Sequence, residues 1–331
     1  MNFRRLGRSG LKVSELALGT MNFGNPTAVV ESVGMVDAAI DAGINLIDCA
    51  DVYADGQSEK ILGKALAKSH KRQKVLITSK VFNRTGTGPN DAGNSKFHIL
   101  NACENSLERL KTDFIDIYFL HRTDFTVPQE ESLEAMDLLI RQGKVRYAAC
   151  STHPPWRVVE ALWIAQTFRY PKFICEQSPY NLLDRRIENE ILPMCREYDL
   201  GVMVWSPLAQ GVLAGCYQNA SILPKKSRGG QKKIFAERIT PEGIEVAHKL
   251  TQRAMEKGCT TAQLALAWIL KNPLVSTAII GPRTMDHLMD LLLAVDLMLI
   301  PEDMAFCDNL VPPGTHVSDH FNTAGWIQSN L

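Results

Sequence analysis

Eight short apolar runs recur along the chain with amphipathic stretches between them, and that alternation leaves few folds open. The runs fall at 16–19, 45–48, 75–80, 115–121, 145–151, 173–177, 202–206 and 277–281, and helical patterns at 29–42, 58–67, 97–110, 130–142 and 157–166. Short apolar runs alternating with helices are the signature of βαβ units and a parallel sheet. Eight repeats predict a closed α/β barrel, the (β/α)8 TIM barrel, over an open doubly wound sheet. Such barrels usually take about 250 residues before insertions, so the 331 residues here are expected to form one domain, 1–331, with loops added. Ahead of the first run, Gly7-Arg8-Ser9-Gly10 lies between two short extended pieces and predicts a β-hairpin. Three segments break the alternation and are expected as insertions: 82–94, 217–241, and a tail, 301–331, lying over the active-site face.

Three consecutive runs end in chemistry. Asp48, Lys80 and His121 close the second, third and fourth, and Tyr53 follows just beyond the second. In parallel sheets the carboxyl ends of the strands gather at one rim, so these four side chains are expected to meet. A free tyrosine, with a pKa of about 10, is a poor acid at neutral pH; a neighbouring ammonium stabilises its phenolate and should lower that value. Lys80 is placed to be that ammonium, Asp48 to hold its charge, and His121 to hydrogen-bond a substrate carbonyl oxygen.

The segments Asp48-Cys49-Ala50-Asp51-Val52-Tyr53, Ile77-Thr78-Ser79-Lys80 and Tyr118-Phe119-Leu120-His121-Arg122-Thr123-Asp124 resemble the three signatures of the aldo-keto reductase superfamily, in a branch that includes bacterial aryl-alcohol dehydrogenase-like reductases and potassium channel β subunits. The likeness spans nearly the whole chain, through Gly19-Thr20-Met21, Glu176-Gln177, Trp205-Ser206-Pro207-Leu208, Gln210-Gly211 and Ile280-Gly281-Pro282-Arg283. It implies an NADPH-dependent reductase of aldehydes or ketones, sugar-like or aryl, with Asp48, Tyr53, Lys80 and His121 as the catalytic set. It implies that Trp205 stacks on the nicotinamide ring and that Ser151, Thr152 and Gln177 hold the carboxamide. Ser206, Pro207, Leu208, Gln210 and Gly211 would form the pyrophosphate loop. Gly19, Thr20, Met21, Asp48, Ile280, Gly281, Arg283 and His287 complete the cofactor cleft, with Arg283 beside the 2′-phosphate. The family often has Asn where Thr152 stands, Gln at His287 and Asn at Leu291. Substrate contacts are expected from Asn22, Tyr53, Phe82, His121, Arg122 and Trp156, with Met21, Phe125, Phe321 and Trp326 nearby.

Bulk properties narrow the partners. Lys plus Arg and Asp plus Glu number 36 each, so no overall field draws the chain to nucleic acid or an anionic membrane. No apolar stretch approaches the roughly 18 residues of a membrane span, and the start reads as a hairpin, so a cytoplasmic protein with a small-molecule carbonyl substrate is expected. Eight scattered cysteines without a C-x-x-C pair argue against structural zinc and against a disulfide framework, and no metal is expected. Cys49 and Cys150 read as small buried hydrophobes before redox switches. Asp51 and Asp55 read as loop and turn residues, and the basic run Lys225, Lys226, Arg228, Lys232, Lys233 as a solvated loop. No G-x-G-x-x-G or P-loop opens a helix. Two other readings stay open: a cofactor-binding regulatory subunit of the potassium channel β type, and a barrel hydrolase, which would leave Tyr53, Lys80 and Trp205 without roles.

Overall fold

The computed structural model describes residues 1–231 and 233–321. The hairpin forms first, β1 (Phe3–Arg5) pairing antiparallel with β2 (Lys12–Ser14). Then follow β3 (Leu16–Gly19), α1 (Val29–Asp41), β4 (Leu46–Asp48), α2 (Gln57–Ser69), β5 (Leu76–Val81), α3 (Lys96–Leu110), β6 (Ile115–Leu120) and α4 (Gln129–Arg141). The second half brings β7 (Val145–Ser151), α5 (Pro155–Phe168), β8 (Cys175–Pro179), α6 (Ile191–Glu197), β9 (Gly201–Trp205), the short α7 (Arg228–Gln231) and α8 (Lys233–Ala236), α9 (Pro241–Glu256), α10 (Thr261–Leu270), β10 (Thr277–Ile280), α11 (Met285–Leu292) and α12 (Pro301–Leu310). The strands β3 to β10 close into a parallel barrel, with β10 pairing with both β9 and β3. All eight expected runs are strands of this barrel.

Alternation along the strands sorts the core into two. Ala17, Leu46, Ile117, Phe119, Ala149, Cys175, Met203 and Ile279 pack in one cluster with Leu6 and Val13 of the hairpin, which therefore fills one end of the barrel. Leu16, Leu18, Ile47, Ile77, Tyr118 and Val204 belong to the larger cluster between barrel and helices. Two glycines permit close approaches. A Cβ on Gly7, which has φ +53°, would lie 2.3 Å from the backbone nitrogen of Gly201, and one on Gly19 would lie 2.7 Å from the Ile279 side chain. Arg4 ties the hairpin down by donating to the carbonyls of Asn272 (3.2 Å) and Val275 (2.6 Å).

The interrupting segments differ from plain insertions in two places. Within 217–241 lie α7 and α8. The tail begins as α12, whose first turn meets the end of α9 where Asp303 accepts from Arg253 and Lys257, while beyond α12 the Val317 carbonyl accepts from Thr240 at the start of α9. α12 and the stretch after it both reach the loop following β8: Asp308 accepts from Arg185 Nη1 (2.7 Å), and Asp184 accepts from the backbone nitrogens of His320 and Phe321. Among the described residues no helix is long and apolar enough to cross a membrane.

Candidate active site

Register brings the four strand-end residues together. Asp48 pairs with Thr78 across β4 and β5, Lys80 with Phe119 across β5 and β6, and the His121 backbone nitrogen donates to Val81 (2.9 Å). The Lys80 ammonium, fully buried, spends its three hydrogens on Asp48 Oδ2 (2.7 Å), the Cys49 carbonyl (2.7 Å) and Tyr53 Oη (3.3 Å). Asp48 also accepts from Thr78 Oγ1 (2.8 Å) and Gln177 Nε2 (2.8 Å). A buried ion pair is stable only when its remaining valences are filled, and here they are. The Tyr53 and His121 rings stand edge to face, 6.1 Å apart. Tyr53 is carried on a turn whose next three residues, Ala54, Asp55 and Gly56, all have positive φ, which makes Asp55 the turn residue expected.

Electrostatics corrects one expectation. Burial raises the Tyr53 pKa above the ordinary phenol value and outweighs the opposing pull of Lys80, so the phenol holds its proton at neutral pH. Burial works against the Lys80 ammonium, but Asp48 and Tyr53 reverse the balance and its pKa is raised. His121 is pushed well below the usual imidazole value by burial, then by Arg122 and Lys80, and is neutral.

Beside the four lie the residues expected at a nicotinamide. Ser151 Oγ donates to the Gln177 carbonyl (3.0 Å), and so does the Thr152 backbone nitrogen (2.9 Å). Thr152 has φ +54°, a left-handed conformation that Asn tolerates and a β-branched residue resists. That is a physical reason for the asparagine common at this place. The Trp205 ring is half-buried at the end of β9. Ser206, Ala209, Gln210 and Gly211 all have positive φ, a strained run of the kind that turns backbone N–H groups into an anion-binding hollow. Pro207 is buried, and the Leu208 carbonyl accepts from Gly211 (2.9 Å). Gly19, Thr20 and Ile280 are buried around the β3–β10 seam, with Thr20 donating twice to the Asp48 carbonyl.

Other expected residues are placed less centrally. The Asn22 amide donates to the Gly281 carbonyl (2.9 Å), stapling the loops after β3 and β10. His287 is exposed in the first turn of α11, its backbone nitrogen capped by Thr284, and Leu291 is a buried core residue. Trp156 packs against Phe125 at 6.2 Å and is 56% exposed. Phe82 is half-buried just past β5. Arg122 Nη1 donates to the His121 carbonyl (2.7 Å) and to Thr152 Oγ1 (3.1 Å). Trp326 and Lys232 lie outside the described residues.

Sequence reading passed over three groups. Arg228, taken as part of a solvated loop, turns inward: its guanidinium donates to Met21 Sδ (2.8 Å), lies over the Phe235 ring, and is lowered in pKa by burial and by the charge of Arg283. Asp51 is a turn residue with a buried carboxyl, pushed up to about 7 by burial and by Glu59. Glu176, paired with Cys150 across β7 and β8, sits with Cys150 and His153 so that one ligand atom of each lies within 4.8 Å of the others. Burial raises that carboxyl to about 8 and lowers His153 to about 4, so the group is neutral at pH 7. The spacing Cys150-Ser151-Thr152-His153 was the visible signal. Cys49 is buried with its thiol pushed up to about 12, chiefly by burial, which suits an inert hydrophobe.

The family model described as "Aldo/keto reductase family" matches residues 15–312. The uncharacterized oxidoreductase YrpG of Bacillus subtilis is 37% identical over 324 residues, 95% of this chain and 97% of the relative. Two plant proteins named "Probable voltage-gated potassium channel subunit beta" are also similar: that of Oryza sativa is 37% identical over 91% of this chain and 94% of its own length, and that of Arabidopsis thaliana 36% identical over 90% and 92%. Barrel, site and matches together make this an oxidoreductase of the (β/α)8 class. The chain belongs to the aldo/keto reductase family.

Proposed function

We propose that the protein is an NADP(H)-dependent reductase of an aldehyde or ketone, sugar-like or aryl, with Tyr53 as the proton donor. The observation that carries this reading is the hydrogen-bonded chain from Asp48 through Lys80 to a protonated Tyr53, beside a neutral His121. The residues present fit a nicotinamide dinucleotide. Trp205 offers a ring face, Ser206 and Ala209 to Gly211 left-handed backbone, and Arg228 a guanidinium that donates to a thioether, a weak acceptor that a phosphate oxygen would improve on. Arg283, donating to the Lys226 carbonyl (2.7 Å), supports preference for the 2′-phosphorylated form.

Bound nicotinamide supplies the hydride. The chain's own work is positional and protonic. His121 orients the carbonyl by its oxygen, and Tyr53 Oη gives that oxygen its proton as the carbon is reduced. The phenolate left behind is stabilised by the Lys80 ammonium at 3.3 Å, and Asp48 keeps that ammonium charged. Tyr53 is only partly buried, so solvent can return the proton. The proposal takes 1–331 as one working domain in the cytoplasm.

Following NADPH absorbance across a panel of aldehydes, ketones and aldoses tests this reading. Steady turnover that collapses in Tyr53→Phe is expected. Tight NADP(H) retention without turnover would instead favour a regulatory subunit, and glycoside hydrolysis without nicotinamide a hydrolase.

A further inference from the structure

To hold a carbonyl oxygen, His121 must present a hydrogen to it, and a neutral imidazole carries only one. Which ring nitrogen holds it depends on what the other faces. Nδ1 of His121 faces the side-chain Nδ2 of Asn83 at 3.2 Å. An amide nitrogen can only donate, so Nδ1 is the acceptor and the hydrogen sits on Nε2. We propose that Asn83 is a positioning residue whose side-chain amide fixes His121 as the Nε2–H tautomer, the form able to donate to a carbonyl oxygen beside Tyr53. The inference rests on the reductase reading of the same site and adds a residue to it. Burial and the cations of Arg122 and Lys80 keep the ring neutral, so the choice between tautomers is a real one.

The surroundings hold both partners still. Asn83 is three residues past Lys80, where the pairing of Val81 with Leu120 sets its loop beside His121. The preceding carbonyl, of Phe82, accepts from Gly93 (2.7 Å). Between them, Asp91 cross-ties the loop by accepting from Gly88 at its carboxylate (2.7 Å) and from Thr85 at its carbonyl (3.0 Å). Asn94 then donates from its amide to the Arg122 carbonyl (2.8 Å) and from its backbone to Asp124 (2.8 Å). The segments 82–94 and 121–124 thus clasp each other around the imidazole. Turning the Asn83 amide the other way would require a hydrogen on Nδ1 and leave a bare lone pair on Nε2 facing the carbonyl's own lone pairs, so the two orientations have opposite consequences.

The ring can be read directly. In protein labelled with 15N-histidine, long-range proton–nitrogen correlations of His121, assigned by their loss in His121→Gln, report which nitrogens are protonated. The parent should show Nε2 protonated and Nδ1 bare at neutral pH. Asn83→Leu should give a mixture of tautomers, and Asn83→Asp, of the same shape but accepting only, should put a hydrogen on Nδ1. Turnover of Asn83→Leu should fall about tenfold, one hydrogen bond's worth, with NADPH affinity unchanged. Nδ1 protonated in the parent, or bare in both variants, overturns the proposal. A parent that reduces no carbonyl would remove the reductase reading, while the spectra would still decide what Asn83 does to the ring.

Discussion

The two ends of the cleft are built on different principles. At the tetrad end the polar groups have found partners: Lys80 uses all three hydrogens on Asp48 and the turn after β4, and Asp48 accepts from three side chains, supplied by β5 and by β8 across the barrel. At the end proposed to hold the cofactor's phosphates, Arg228 of α7 and Arg283 of the loop after β10 rest on a thioether and a backbone carbonyl. Groups that must stabilise a transition state gain by being in place beforehand. Groups that only anchor a ligand can be completed by the ligand. On the proposed reading the chemistry end is preorganised by register, and the anchoring end is finished by what binds.

Substitutions can break this contrast, and the largest effect should come from the preorganised end. Tyr53→Phe removes the proton donor, and since general acid catalysis is worth about 10² to 10⁴-fold, turnover at saturating NADPH and carbonyl should fall that far with cofactor affinity nearly intact. Lys80→Met should act similarly by removing the charge that stabilises the phenolate. Near-normal reduction by either folded variant would take the tetrad out of the mechanism. Next come the anchors: Arg228→Ala and Arg283→Ala should each raise the KM for NADPH about tenfold, a charge-assisted hydrogen bond's worth, and Arg283→Ala should leave that for NADH almost unmoved. A loss confined to kcat would show that the anchoring end also takes part in the chemistry. Smaller again, Trp205→Ala should weaken cofactor binding by about 1 kcal/mol, read by quenching of protein fluorescence at matched circular dichroism.

A separate effect concerns stability rather than turnover or cofactor binding. The Glu176 carboxyl is raised from 4.5 to about 8 by burial, so between those values the folded protein holds a proton that the unfolded chain releases. Its contribution to stability is therefore lost as pH rises through that window, levelling off above the folded value. Denaturation of Glu176→Gln should show a shallower decline from pH 5 to pH 8 than the parent. An identical slope would mean that the carboxyl ionises without penalty.

How much of this could be read beforehand follows the same division. Asp48, Lys80 and His121 end apolar runs, and the period of a strand together with the order of a barrel is enough to bring such residues to one rim. Arg228 hides in a basic loop because its inward turn depends on the backbone path through α7, which no local pattern encodes. Asp51 and Glu176 look like ordinary surface acids in a linear reading, since burial is set by neighbours such as Glu59 and Cys150 that lie on other elements. The lowered tyrosine pKa expected from an adjacent ammonium failed for the same reason: proximity of charge was legible, but desolvation, the larger effect, depends on the packed site.

The hairpin that fills the base of the barrel has a consequence in time. Arg4 reaches carbonyls 268 and 271 residues further along the chain, and Leu6 packs among side chains from nearly every strand. A ribosome makes that segment long before the partners it ties to. For most of synthesis the opening residues have nothing to close, and contacts of such long sequence separation form slowly. The plug is therefore a late lock on an assembly that must already be circular, and its docking reports that the last strand has arrived.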